Sequence, residues 1–256
     1  MDQAHQKVIP NTALPRHSVV GGAFGIALLI AACGGNAPGA VDIGPGDPGG
    51  GGQDGGGGEA LAEPSYPETL PYAKSVESFT PGAGAGYGEG DLPRVVLGPP
   101  RGKGLAAGGL DVLSLGAGGE IVLGFGEQPI EDQVGADFIV FENAFWPNGD
   151  AGMPYAELGE VSVSEDGETW STFACDQRGS GPGLFSGCAG WSPTLNYDPV
   201  AVVPLDPSAT GGDAFDLADL GISRARFVKI RDLSTLEGAS PSAGFDLDAV
   251  GVVTSN

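Results

Sequence analysis

From about residue 71 onward the chain is built of apolar runs of four to seven residues, punctuated by clusters of Gly, Pro, Asp and Asn. With 47 glycines and 21 prolines in 256 residues, breakers recur too often for a helix of ten or more residues to form. Short runs at close spacing are the pattern of an all-β protein, here a single antiparallel β-sandwich. Strands are expected near 95–97, 111–115, 120–125, 137–142, 158–164, 169–174, 200–204, 226–232 and 248–253. In Glu160-Val161-Ser162-Val163-Ser164 the valines fall on one face and the polar residues on the other. Phe138-Ile139-Val140-Phe141 is apolar at every position, which places it centrally with both faces covered. Residues 164–168 (SEDGE) read as a hairpin loop, and 216–220 (DLADL) as a single helical turn.

The N-terminal part follows another logic. Residues 19–32 are 14 apolar positions without a charge, preceded by Lys7, Arg16 and His17 and followed by Cys33-Gly34-Gly35. This is the layout of a signal peptide, and it is too short for a mature membrane helix. Ile30-Ala31-Ala32-Cys33 resembles the bacterial lipobox, which implies that Cys33 becomes an acylated N-terminus. Residues 34–58 hold 13 glycines in 25 positions, a flexible tether without a core. The expected organisation is a signal peptide at 1–32, a disordered tether at 33–70 and the sandwich at 71–256.

After removal of residues 1–32, nine basic and 32 acidic residues remain, a formal charge of −23. Such a surface repels nucleic acid. His5 and His17 both lie in the leader, so the processed chain has no histidine. That excludes Ser-His-Asp and Cys-His catalysis and histidine-supported zinc sites. Carboxylate chemistry and oxygen-ligated metals remain. Once Cys33 is lipidated, Cys175 and Cys188 form an even pair in an exported, oxidising setting, and a disulfide is expected.

Several segments carry a resemblance. VSVSEDGETW (161–170) and ARFVKI (225–230) resemble the hairpin and strand of discoidin-like, galactose-binding-like sandwiches of jelly-roll type. VLGPPRGKG (96–104), GADFIVFENAF (135–145), AELGEVSVSEDG (156–167) and AGFDLDAVGV (243–252), in that order, resemble a family of bacterial cell-surface proteins and lipoproteins. The resemblance implies a surface-anchored β-sandwich and no established activity.

Candidate sites come from acids and aromatics. Asp137, Glu142 and Asn143 flank the FIVF run, and Asp246 and Asp248 lie just before the last strand, sharing one face. Carboxylates on strands that join a core must be paired, hydrogen-bonded or bound to a cation. Without histidine the fitting cation is Ca²⁺, bridging Glu142 and Asp248, with Glu157 joining or else ending a strand in solvent. The alternative is that these acids cap loops. Asp213, Asp216 and Asp219 read as a structural polar stripe. Trp146, Tyr155, Trp191 and Tyr197 lie in loop sequences, where they form either a platform for sugar rings or a satellite core. Arg224, Arg226, Lys229 and Arg231 either pair with neighbouring acids or bind an anion.

The chain is therefore expected to be a non-catalytic binding lipoprotein of the outer membrane or cell surface, held by acyl chains and taking a glycan or a surface protein. A carboxylate-dependent glycoside hydrolase or lyase and a purely structural, adhesive envelope protein are the alternatives. Acylation needs the Cys33 thiol, so Cys33→Ser is expected to accumulate as an unprocessed precursor, seen by intact mass. Complete cleavage of that variant with continued membrane partition would overturn the lipobox reading.

Overall fold

The computed structural model describes residues 70–179, 183–195, 205–234 and 243–253, all within one compact unit, Gly58–Asn256. Cys33, the glycine-rich stretch, Tyr197 and the strand expected at 200–204 lie outside the described residues.

Two antiparallel sheets face each other across the core. The larger contains β1 (Ser75–Thr80), β3 (Glu120–Gly124), β6 (Gly159–Ser164), β7 (Ser171–Thr172), β8 (Cys188–Ala189) and β11 (Phe227–Asp232). Its order is β1-β3-β11-β6-β7, with β8 also pairing β6. Alternation does the work here. Val161 pairs with Ile230, which pairs with Ile121, and Val163 with Val228, which pairs with Leu123. All six are at most 1 % exposed, and each such side chain contributes about 1.5–3 kcal/mol on burial. The intervening residues turn outward. Lys229 lies 4.4 Å over the Trp170 ring, and Arg231 pairs with Glu160 at 2.8 Å. Arg224 reaches Glu131 and Glu165, while Arg226 donates to the Gly126 carbonyl at 3.0 Å. The basic cluster is thus engaged by the protein's own acids and backbone.

The smaller sheet has the order β2 (Leu113–Ser114), β12 (Asp246–Val252), β5 (Phe138–Glu142), β9 (Asp213–Phe215). β5 is central and buried along its whole length, as its unbroken apolar run requires. Phe138 and Val140 enter the main core, where Phe138 stacks on Phe215 at 5.1 Å and meets Phe173 edge-on. Ile139 and Phe141 pack on the other face under Tyr72 and Leu205. In β12 the register shifts between Leu247 and Ala249, so Leu247 and Val250 both reach the main core. A small ribbon pairs β4 (Ile130–Glu131) with β10 (Arg224–Ala225).

Some expectations need correction. Residues 95–97 are not a strand: Arg94–Val96 is a 3₁₀ turn that buries Val95 and Val96, confined by Pro93 before it and Gly98-Pro99-Pro100 after it. The strands expected at 111–115 and 169–174 shrink to the two residues of β2 and of β7. The turn at 216–220 is 3₁₀, with the Asp216 carboxylate accepting the Ala218 N–H at 2.9 Å.

Cys175 and Cys188 are disulfide-bonded, as parity requires, with Cα atoms 4.5 Å apart. Because β8 carries Cys188 and pairs with β6, the bond ties the intervening loop to the larger sheet. Reduction, or replacement of both cysteines by alanine, is expected to lower unfolding stability by about 3 kcal/mol, measured as a urea midpoint shift. An unchanged midpoint under reductant would remove the disulfide from the list of stabilising contacts.

Candidate functional site

Antiparallel pairing gathers four strand ends at one pole. Glu142, the last residue of β5, pairs with Leu247 near the start of β12, and Asp232, the last of β11, pairs with Gly159, the first of β6. Asn143, Glu157 and Asp246 therefore arrive at the same place although up to 103 positions separate them.

The hydrogen bonds there are unevenly shared. Asp246 is satisfied: its Oδ1 accepts the Ser114 hydroxyl, and its Oδ2 accepts the Asn143 amide at 2.9 Å. Asp232 is saturated. It accepts the Gly118 N–H (2.9 Å), the Ser234 N–H (2.9 Å) and hydroxyl (2.6 Å), and the Phe245 N–H (2.7 Å). Glu142 is not. Its carboxylate accepts the Ala144 N–H and, at Oε1, the Asp246 N–H in a long bond of 3.3 Å, while Oε2 is buried without a bond of good geometry. An unsatisfied buried polar atom costs about 1–3 kcal/mol, and more when charged.

The charges reinforce one another. Burial, then Asp246 and Glu157, hold the Glu142 carboxyl well above the usual carboxylate range. Burial, then Asp246 and Asp232, push Glu157 up to about 7, although it accepts a hydrogen bond from the Gly244 backbone. No ion pair among the described residues includes Glu142, Glu157 or Asp246. Glu157 is placed through Gly190, whose carbonyl accepts the Glu157 N–H at 3.1 Å. Gly190 has φ +90, and a Cβ there would lie 2.0 Å from the Glu157 carbonyl oxygen, so no other residue fits.

Aromatic rings rim the same pole. Tyr155 stacks on Phe145 with centroids 4.9 Å apart and is 51 % exposed. The charge of Glu157, more than burial, raises its phenol above the ordinary value, and Asp246 and Glu142 add to this. Trp146 and Trp191 are half-buried and joined by a 3.4 Å bond from the Trp146 indole N–H to the Trp191 carbonyl. Beside Trp191 a cavity of about 320 Å³ opens between Ser186, Cys188 and Asp213.

Asp213 was read from sequence only as part of a stripe. Its Oδ2 accepts the N–H groups of Gly190, Trp191 and Ser192 at 2.7, 3.1 and 3.4 Å, while its Oδ1 is buried without a partner. Burial pushes it up to about 6 against those bonds. Asp232 and Ser114 were also missed. An acid ending a strand and a serine in an apolar run carry no pattern that marks them.

Two expected ligands stand elsewhere. Asp137 precedes β5 at its other end, about 16 Å from Glu142 along an extended strand. Its oxygens accept the Gln133 and Leu217 N–H groups, both at 2.7 Å, beside Asp132 and Asp216. Asp248 sits in the register shift of β12, so the face expected for a regular strand is not kept. Both its oxygens accept the Arg101 N–H, at 2.8 and 3.1 Å, and its neighbours are Arg101, Asp111 and Tyr72.

No family model and no curated protein matches this chain. Among solved structures it is similar to a glycoside hydrolase (12 % identity, 55 % of this chain, 21 % of that one, TM-score 0.27). It is also similar to the C-terminal domain of a chitobiase from Bacteroides fragilis (13 %, 70 %, 91 %, 0.32). A SusE-like protein is a third (15 %, 68 %, 64 %, 0.32). The chain spans about a fifth of the hydrolase's length. Likenesses this slight assign neither family nor activity.

Asp248 offers a pH test. Burial outweighs the Arg101 N–H bonds and holds it near 8. A carboxyl that keeps its proton in the folded state but loses it near 4 when unfolded makes stability fall as pH rises from about 4 to 8. Asp248→Asn is expected to flatten that fall and to gain about 1–2 kcal/mol at pH 8 in urea unfolding. Equal slopes for the variant and the parent would show that the Arg101 bonds keep Asp248 ionised.

Proposed function

We propose that the chain is a surface-anchored lipoprotein whose sandwich is a non-catalytic binding module for a glycan of the envelope or its surroundings. The observation that carries this reading is Tyr155, half exposed and backed by Phe145. A ring held flat by a second ring is already ordered, so stacking a pyranose face on it costs little further side-chain entropy. Trp146 and Trp191 extend the apolar rim, and the half-buried Glu157 behind it supplies acceptors for sugar hydroxyls. The 320 Å³ recess beside Trp191 gives such a ligand depth as well as area.

A hydrolase would need two carboxyl groups about 5–10 Å apart that both reach the scissile oxygen. Glu142 is 1 % exposed and Asp246 is 6 % exposed. Their burial supports a holding role over an acid–base role, although Glu157 has a carboxyl tuned towards neutrality.

A glycan array probed with the processed, full-length chain tests the reading. Tyr155→Ala and Trp146→Ala are expected to cost about 1–3 kcal/mol of binding each while far-ultraviolet circular dichroism is unchanged. Silence across the array, or both variants binding like the parent, would leave the adhesive, structural alternative.

A further inference from the structure

We infer that the recess between β8, β9 and the disulfide loop takes one terminal, uncharged sugar ring, so that the module grips the ends of glycan chains. This rests on the reading of the neighbouring aromatic rim as a glycan site. The recess measures about 320 Å³, the small end of the roughly 300–1,000 Å³ that ligand pockets span. That is room for a single ring and not for a run of rings. Backbone keeps it open. Gly187 and Gly212, which line it, stand at φ +75 and +77, where a Cβ would meet the Ala174 carbonyl oxygen at 2.2 Å and the Ile139 side chain at 2.6 Å. No side chain can rise from either position to fill the space.

The polar groups select the sugar. Asp213, 4 % exposed, is part of the wall. Its Oδ2 accepts the N–H groups of Gly190, Trp191 and Ser192 at 2.7, 3.1 and 3.4 Å. The Ser192 hydroxyl donates to the same carboxylate, and Oδ1 is left without a bond of good geometry. The charge is thus met by the 190–192 turn, so this wall does not call for a cation. What it lacks is one more donor, which a sugar hydroxyl supplies. Among the described residues no basic side chain lines the recess, so a uronate carboxylate would enter it with nothing to neutralise its charge. Asp213 is also a positioning residue, since holding three consecutive N–H groups fixes where Trp191 stands.

The wall formed by the disulfide loop is set with equal firmness. Ser186 and Cys188 line the recess, and the Cys175–Cys188 bond closes their loop. Phe185 beside them has φ 56, a conformation rare for so bulky a side chain and kept only where the surroundings over-determine it. Its carbonyl accepts the Cys188 N–H at 2.9 Å, and its ring meets Trp191 edge-on at 6.4 Å. Walls fixed before a ligand arrives lose little entropy when it binds.

Saturation-transfer NMR of the full-length chain with glucose, galactose, N-acetylglucosamine, glucosamine and glucuronate, each alone, tests the subsite. At least one neutral sugar is expected to bind at millimolar concentration, and glucuronate is not. Ser186→Phe, which places a ring in the recess, is expected to weaken that sugar roughly tenfold or more. Ser186 is exposed, so this variant folds where a change at Asp213 fails to. Asp213→Ala is expected to weaken binding similarly, with most of the affinity restored in Asp213→Asn, which keeps an acceptor for the three N–H groups. Across oligomers of the bound sugar, affinity is expected to level off at short lengths. The inference is overturned if no neutral monosaccharide binds, if glucuronate or glucosamine binds more tightly, if Ser186→Phe binds undiminished, or if affinity climbs steadily with chain length. Any of these alongside a responding glycan array leaves the rim reading standing without an end subsite, whereas a silent array removes that reading itself.

Discussion

The strand β5 is buried on both faces and sits between β12 and β9, so every residue on it must satisfy its polar atoms inside the protein. Phe138 to Phe141 meet that constraint with hydrocarbon. Glu142 cannot, and the architecture around it follows from where its charge ends up. The Thr194 hydroxyl donates to its backbone carbonyl at 2.8 Å, and the Asp246 N–H turns towards its carboxylate. Moving the acid one residue along the strand would turn it to the opposite face, among Tyr72, Leu205 and Ala249, where the surroundings are hydrocarbon apart from the Tyr72 hydroxyl.

The acidity of the chain has a second explanation beside solubility. Short aspartates organise its turns. Asp166 accepts N–H groups from Glu168 and Thr169 and the Ser164 hydroxyl, and these bonds hold it at about 2. Asp206 caps the short helix Pro207–Thr210, Asp216 caps the following 3₁₀ turn, and Asp232 stitches β11 to the chain entering β12. A protein of short strands needs many turns, and each turn exposes backbone donors that a carboxylate satisfies well. Glu142 and Glu157 at the pole differ in kind: besides a few backbone donors, they face each other's charge and that of Asp246.

Much of this was legible in the residues. Period-two alternation located β6 and β11, and an unbroken apolar run located β5, because burial on one face or two leaves different patterns. Composition punctuated by glycine and proline marked the fold class. What escaped detection did so for physical reasons. β1 is polar at Ser75, Glu77 and Ser78 because it is an edge strand with a register shift between Val76 and Ser78. β8 is two residues long and takes its place from the disulfide as much as from its side chains. Asp246 and Asp248 look equivalent in the sequence, yet a bulge between them gives one to Ser114 and Asn143 and the other to Arg101. Bulges leave no reliable trace in periodicity. Glu142, Asn143 and Glu157 were recognisable as acids and amides at strand ends, but Asp232 and Asp213 needed the pairing to bring them near.

One contact at the far end of the smaller sheet bears on mechanics. The first described residues run against the close of β12: Tyr72 bridges Gly251, and Pro71 accepts the Val252 N–H at 2.6 Å. The polypeptide thus enters the sandwich beside the point where it leaves, while Glu142 and Asp246 lie at the other end of the same two strands. A pull applied through residue 70 and resisted at the acidic pole runs lengthwise along β5 and β12. Force in that direction loads the whole ladder between them at once, in shear, instead of peeling one hydrogen bond after another. A sandwich loaded in that direction resists extension better than its size alone suggests.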